Sequence, residues 1–184
     1  ASFWMRTVDE VRVQVIATTA GQSGGNIISA RTNTSSAADF TGNVTLNNLQ
    51  PNTTYQYELI VDGNKLPQKW EFRTAPINNA PSQFEIGFGG GAGFTPWYER
   101  MWNTIAAHEL DAFLLLGDNV YIDHPEYPAV QRYCYYRRQS RPEYRNFAAR
   151  TPLFSIWDDH DFTVNDGWGG PAIDEPAWKI PVWE

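Results

Sequence analysis

At 184 residues the chain is long enough for one or two domains with a buried core, and its longest purely apolar run, Ala112 to Leu116, is far short of the roughly 20 residues of a membrane-spanning helix. Hydrophobic residues make up 42% and charged residues 19%, with 8 Trp, 9 Tyr and 10 Phe, a composition that excludes a disordered chain. The net charge of −7 arises wholly after residue 78, because Arg6, Arg12, Arg31, Lys65, Lys69 and Arg73 balance Asp9, Glu10, Asp39, Glu58, Asp62 and Glu71 before it.

An acidic second half is either a solvated surface or a set of cation ligands, and it argues against wrapping a nucleic-acid duplex, whose affinity rests on Lys and Arg at phosphates. The single Cys134 rules out an intrachain disulfide and a cysteine-rich zinc site without excluding export.

Residues 1–78 read as all-β. Strands are expected over Ser2 to Met5, Val11 to Ala17, Asn26 to Arg31, Gly42 to Leu46, Thr54 to Val61 and Lys69 to Thr74, separated by Gly24-Gly25, Asn47-Asn48 and Asp62-Gly63-Asn64. The last of these predicts a hairpin, since its residues accept positive φ. Leu49-Gln50-Pro51-Asn52-Thr53-Thr54-Tyr55 resembles the Leu-x-Pro-x-Thr-x-Tyr corner of fibronectin type III domains. The resemblance implies a β-sandwich over 1–78 with Trp4 as a core aromatic and a first strand before Ala1. Asn33, Asn43 and Asn52 each open an Asn-x-Ser/Thr sequon, which marks surface positions. The stretch 75–81, with two prolines and no periodicity, reads as a linker.

In the second domain, 79–184, the pattern turns from residue 83 to β-α-β-α-β, which predicts an α/β sheet. Gln83 to Phe88 is a strand. Thr95 and Pro96 open a helix whose apolar stripe is Trp97, Met101, Ile105 and Leu110, and Ala112 to Leu116 is a fully buried strand. Pro128 to Ser140 and Pro142 to Arg150 are helical pieces broken at Pro142, and Pro152 to Trp157 is a third buried strand.

In open α/β sheets the chemistry lies beyond the carboxyl ends of the strands. Those ends are Phe88-Gly89-Gly90-Gly91-Ala92-Gly93, Leu116-Gly117-Asp118-Asn119-Val120-Tyr121 and Trp157-Asp158-Asp159-His160-Asp161. The glycine run fits G-x-G-x-x-A, so a dinucleotide turn and a plain tight turn both stay open, although the predicted helix starts only after the glycines. A P-loop is excluded, because no Gly-Lys-Ser/Thr occurs. The acidic tetrad with its His is either a capped polar loop or a metal-and-substrate site.

Gly-Asp-x-x-Tyr and Trp-Asp-Asp-His-Asp together resemble the signature motifs of the calcineurin-like metallophosphoesterase superfamily. Within it they look most like the alkaline phosphatase D (PhoD-like) group, with purple acid phosphatases as neighbours. The resemblance implies that 79–184 is the N-terminal part of an α/β metallophosphoesterase domain whose C-terminal half, with further histidine motifs, lies beyond Glu184. It implies Asp118, Tyr121 and Asp159 as metal ligands, Asp118 bridging two ions, and His160 as the catalytic group. Iron and calcium are the expected ions, with manganese or zinc as alternatives, and a metal-bridging hydroxide would attack a phosphate ester. Where PhoD-like members carry a metal-binding Cys, this sequence has Gly91. Export to the periplasm or cell surface also follows from the resemblance.

The expected activity is that of a metal-dependent phosphomonoesterase or phosphodiesterase. The alternative is a non-catalytic surface or assembly module that keeps the fold. His108 is expected to complement a helix C-terminus and His124 to be a loop residue. Arg132, Arg137, Arg138, Arg141, Arg145 and Arg150 are expected to be solvated or paired, with one or two free to hold phosphate.

Overall fold

The computed structural model describes residues 1–22 and 24–167, and the Trp-, Gly- and Pro-rich stretch 168–184 lies outside them. The chain divides into two compact units, Ala1–Gln83 and the residues from Phe84 onward.

The first unit is all-β. Its strands are β1 (Ser2–Arg6), β2 (Arg12–Thr19), β3 (Ile27–Ile28), β4 (Thr32–Asn33), β5 (Thr41–Thr45), β6 (Thr54–Val61), β7 (Asn64–Lys65) and β8 (Trp70–Arg73). Antiparallel pairing of β2 with β6, from Val13 opposite Val61 to Thr19 opposite Tyr55, forms the centre of the larger sheet. β3 and β4 pair with β2, β7 and β8 pair with β6, and β1 pairs with β5 in a second, two-stranded sheet. Alternation explains what holds the sheets together: Val13, Val15 and Ala17 of β2 and Tyr55 and Tyr57 of β6 point inward, against Val44 of β5 and Leu46 just after it.

The Asp62-Gly63 turn joins β6 to β7 with φ of 47° and 84°, values suited to a tight hairpin. The Tyr55 hydroxyl accepts the Gln50 amide at 2.8 Å and so fixes the corner before β6. The strand expected over Asn26 to Arg31 ends at Ile28, where the Ser29 hydroxyl takes the Val15 amide in place of a ladder carbonyl. Trp4 is not a core residue. The register sets Phe3 opposite buried Val44 and Trp4 opposite Asn43, so Phe3 enters the core against Tyr57 and Phe72 while Trp4 stands 50% exposed.

The second unit contains β9 (Ile86–Gly89), α1 (Met101–Ala106), β10 (Ala112–Leu116), α2 (Pro128–Gln139), α3 (Pro142–Ala148) and β11 (Leu153–Ile156). β10 lies between β9 and β11 and runs parallel to both, with Leu114 opposite Phe88 on one side and Phe154 on the other. Proline at the first position starts α2 and α3, where no intrahelical N–H is needed. The helix expected from Thr95 begins only at Met101. Before it the Thr95 carbonyl accepts both Tyr98 and Glu99 amides, and Met101 bonds back to Tyr98, a tighter winding that precedes the regular turns.

Trp102 of α1, Phe147 of α3 and Phe113 of β10 form the core of this unit, with Phe147 stacked on Trp102 at 5.2 Å and edge-on to Phe113 at 5.4 Å. Only this face of the sheet is covered among the described residues. β10 and β11 are therefore not fully buried: Leu116, Phe154 and Ile156 are exposed, as are Ile86 and Phe88 of β9. Alternation again decides it, since Phe113, Leu115 and Leu153 take the helix side.

Phe147→Ala removes the ring on which α1, α3 and β10 meet. It is expected to destabilise the second unit by about 3–5 kcal/mol, read as a lower denaturant midpoint.

Candidate metal centre

Because β9, β10 and β11 are parallel neighbours, their carboxyl ends lie on one edge of the sheet, and the loops that follow them come together there. Glycine makes the approach close enough. A Cβ on Gly117 (φ +92°) would stand 2.7 Å from Asp158 Cβ, and one on Gly90 would stand 3.0 Å from the Gly117 carbonyl oxygen. No helix begins within the glycine run, since α1 starts at Met101. What these glycines demonstrably permit is the packing of one strand-end loop on the next.

Asp118, in the left-handed region at φ 50°, is delivered to the site by the tight exit from β10. Asp159 and His160 lie in a short 3-10 turn, Asp159–Asp161, just after β11. One donor atom from each of Asp118, Asp159 and His160 falls within 4.8 Å of the others, and all three residues are partly buried. Tyr121 adjoins this group: its hydroxyl donates to Asp118 Oδ2 at 2.9 Å, and its ring lies 4.5 Å from the His160 ring. That bond to a carboxylate holds the Tyr121 phenol above its ordinary pKa.

Whether a cation suits these residues can be judged from their own hydrogen bonds. Asp118 Oδ1 is buried and has no hydrogen-bond partner, an acceptor that a cation would satisfy. Asp159 receives the His160 amide at 2.8 Å and also the Asp166 amide, which fixes its orientation and leaves lone pairs on both oxygens. Two carboxylates and an imidazole are donors for a hard or borderline divalent or trivalent ion. The residues fit a metal.

Asp161, the last of the acidic tetrad, is buried and acts differently. Its carboxylate accepts the Val120 amide at 3.1 Å, the Asp158 amide at 2.9 Å and the Asn119 side-chain amide at 3.2 Å, so it ties the loop after β10 to the loop after β11. Burial raises its pKa, and these bonds oppose that rise.

Of two further residues around the site, no sequence motif singles out Glu99, and Arg138 is expected to be solvated or paired. Glu99 and Arg138 form a buried ion pair, 2.9 Å from Arg138 Nη2 to Glu99 Oε1, with Arg138 Nε and the Trp102 indole N–H both donating to Glu99 Oε2. Arg138 is thus neither solvated nor free for phosphate. Its place was encoded, though: Val130, Cys134 and Arg138 recur at i, i+4 and i+8, which puts position 138 on the inner face of α2. Arg137 and Arg141 are paired with Asp123 and Glu143, while Arg132, Arg145 and Arg150 are exposed.

The other histidines stand apart from the cluster. His108 is exposed beyond the end of α1, and His124 is exposed and faces Glu126 at 3.3 Å. Gly91 opens toward the site, where a Cβ would lie 3.8 Å from the Tyr121 hydroxyl.

No protein-family profile matches this sequence, and no curated protein matches it. Solved structures do. One is the structure of PhoD, with a TM-score of 0.76 and 17% identity, covering 89% of this chain and 37% of that one. Another is the purple acid phosphatase PPD1 isolated from yellow lupin (Lupinus luteus) seeds, with a TM-score of 0.61 and 14% identity, covering 90% of this chain and 33% of that one. Over most of its length the chain therefore shares the fold of these two structures. It spans about a third of the length of each structure.

Asp118→Asn keeps the side-chain volume and the partner of Tyr121 but removes the charge. The variant is expected to fold normally by circular dichroism and to bind Mn²⁺ more than about 100-fold more weakly than the parent by titration calorimetry. An unchanged affinity would remove Asp118 from the site.

Proposed function

We propose that the chain forms part of a metal-dependent phosphoric ester hydrolase of the PhoD-like type, acting on a phosphomonoester or phosphodiester. One observation carries this reading: Asp118, Asp159 and His160, from the ends of two adjacent parallel strands, bring donor atoms within 4.8 Å of one another in a metallophosphatase-like fold. Asp118 and Asp159 would hold metal, with Tyr121 beside Asp118 as a further oxygen donor. Iron with calcium is the pair we favour, manganese or zinc the alternatives. When bound, such ions acidify water and polarise a phosphoryl oxygen.

The chain's own residues supply the rest. Asp118 and Asp159 gather negative charge where a cation must sit. The His160 backbone amide is fixed by Asp159 and its Nε2 lies 3.3 Å from Asn165 Oδ1, which together with the Tyr121 ring orients the imidazole. An imidazole so placed can give a proton to a departing alkoxide or stabilise charge on the phosphoryl group. The first unit, with the Tyr55 hydroxyl closing its corner, is read as a fibronectin type III-like module preceding the catalytic one, and the whole protein as exported.

A second assignment for one residue has its own support. Since the three-donor cluster includes a ring nitrogen, His160 is a candidate ligand as well as a candidate acid.

His160→Ala separates these roles. As a proton donor, its loss should lower turnover about 10²- to 10³-fold, roughly 3–4 kcal/mol, with metal content unchanged. The penalty should be large on alkyl phosphates and small on nitrophenyl phosphate, whose phenolate leaves without a proton. Loss of metal in the variant, by elemental analysis, would make His160 a ligand. A parent protein, purified in full length without chelator, that holds no metal would overturn the hydrolase reading and leave a non-catalytic surface or assembly module.

A further inference from the structure

The loops after β10 and β11 carry the donors of the candidate metal centre, with the glycine loop after β9 beside them, and apart from the 3-10 turn Asp159–Asp161 they are irregular, so something must hold them in register. Asp161 joins the loop after β10 to the loop after β11. Between the glycine loop and the loop after β10 lies Arg138, 3% exposed, whose Nη1 donates to two backbone carbonyls at once: Ala92 at 2.5 Å, in the glycine loop after β9, and Asn119 at 2.6 Å, next to Asp118. The remaining guanidinium nitrogens face Glu99, which is 0% exposed. Only a guanidinium can do all of this, since its planar fork presents several donors in fixed directions where an ammonium offers one centre.

We infer that Arg138, oriented by Glu99, is a positioning residue that locks the glycine loop after β9 to the Asp118 loop after β10 and thereby sets the affinity of the metal centre. The part concerning affinity rests on the proposed hydrolase reading; the lock itself does not. Arg138 bonds the carbonyl immediately after Asp118, the one ligand whose backbone is in the left-handed region. Freed of that bond, the turn has other conformations in which Asp118 no longer meets Asp159 and His160. The Trp102 indole, which donates to Glu99, ties the lock to the hydrophobic core of the unit.

The test must separate positioning from stability. Arg138→Met alone would strand a buried Glu99 charge and unfold the unit, so the informative variant is the double substitution E99Q/R138M, which removes both charges and keeps an acceptor for Trp102. R138K is the second variant, with the charge retained and the fork lost. Two readouts apply to the full chain: amide hydrogen exchange without metal, and Mn²⁺ titration. In E99Q/R138M the amides of Gly91, bonded to Gly117, and Val120, bonded to Asp161, should exchange at least about tenfold faster, while that of Phe113 in the core keeps its protection. Mn²⁺ affinity should fall about 10- to 100-fold, as for other residues that orient ligands. R138K should fall between parent and double variant in both.

Unchanged protection at Gly91 and Val120 would overturn the lock, and equal losses at Phe113 would reduce Arg138 to a stabilising residue. Full recovery of both readouts in R138K would also overturn it, since the fork would be dispensable. If the double variant does not fold, R138K decides on the same criteria. A parent that binds no Mn²⁺ counts against the hydrolase reading alone, because exchange still judges the lock.

Discussion

Gathering carboxylates of like charge at one edge of a sheet is unfavourable unless each is compensated, and the second unit places Asp118, Asp158, Asp159 and Asp161 within two short loops. Most of the compensation comes from backbone N–H groups. Asp158 accepts the Asp159 amide, Asp159 accepts those of His160 and Asp166, and Asp161 accepts those of Val120 and Asp158. Asp118 is the exception: it has one hydroxyl donor and one buried oxygen without a partner. The carboxylates thus divide by their bonds into those that shape the loops and one that is left open.

Two buried charges of opposite sign also hold the Asp118 loop. Asp161 holds the loop through the Val120 amide and Arg138 holds it through the Asn119 carbonyl, so each of the two residues after Asp118 is fixed by a buried charge. Each buried charge has its own partners: Arg138 has Glu99, and Asp161 has three N–H donors. Neither is a strong source of net stability, because burying a charge costs about what its partners return. Their effect is on conformation.

Much of this was legible in the sequence where a local pattern decides the outcome. Period-2 runs gave β2 and β6, the Asp62-Gly63 pair gave its hairpin, and Pro128 and Pro142 gave the starts of two helices. The convergence of Asp118, Asp159 and His160 followed from reading strand ends, because a parallel sheet puts all such ends on one edge. What escaped was set by pairing across the chain. Phe3 and Trp4 are adjacent aromatics, and only the register with Val44 and Asn43 says which is inside. Phe113 is the one fully buried residue of β10 and β11 has none, although both strands are largely apolar, so composition alone overstated their burial. Arg138 was hidden among six arginines, and Glu99 sits in a turn that the expected helix would have continued through.

The conformation of Asp118 joins these threads. A non-glycine residue in the left-handed region costs on the order of 1–3 kcal/mol, and a buried acceptor without a partner costs about 1–3 kcal/mol more. Glycine at 118 would relieve both, and Asn would tolerate the backbone while supplying an N–H of its own. Asp shares Asn's tolerance of that backbone but has no N–H to offer, so it keeps the unpaired acceptor, and it also brings a full negative charge to a point already crowded with carboxylates. A bound cation reverses the sign of that last term, occupies the open oxygen, and uses a side chain already held in place. The same features that make Asp118 unfavourable for the fold are those that suit a ligand, and the lock formed by Arg138 and Asp161 is what keeps such a residue from relaxing away.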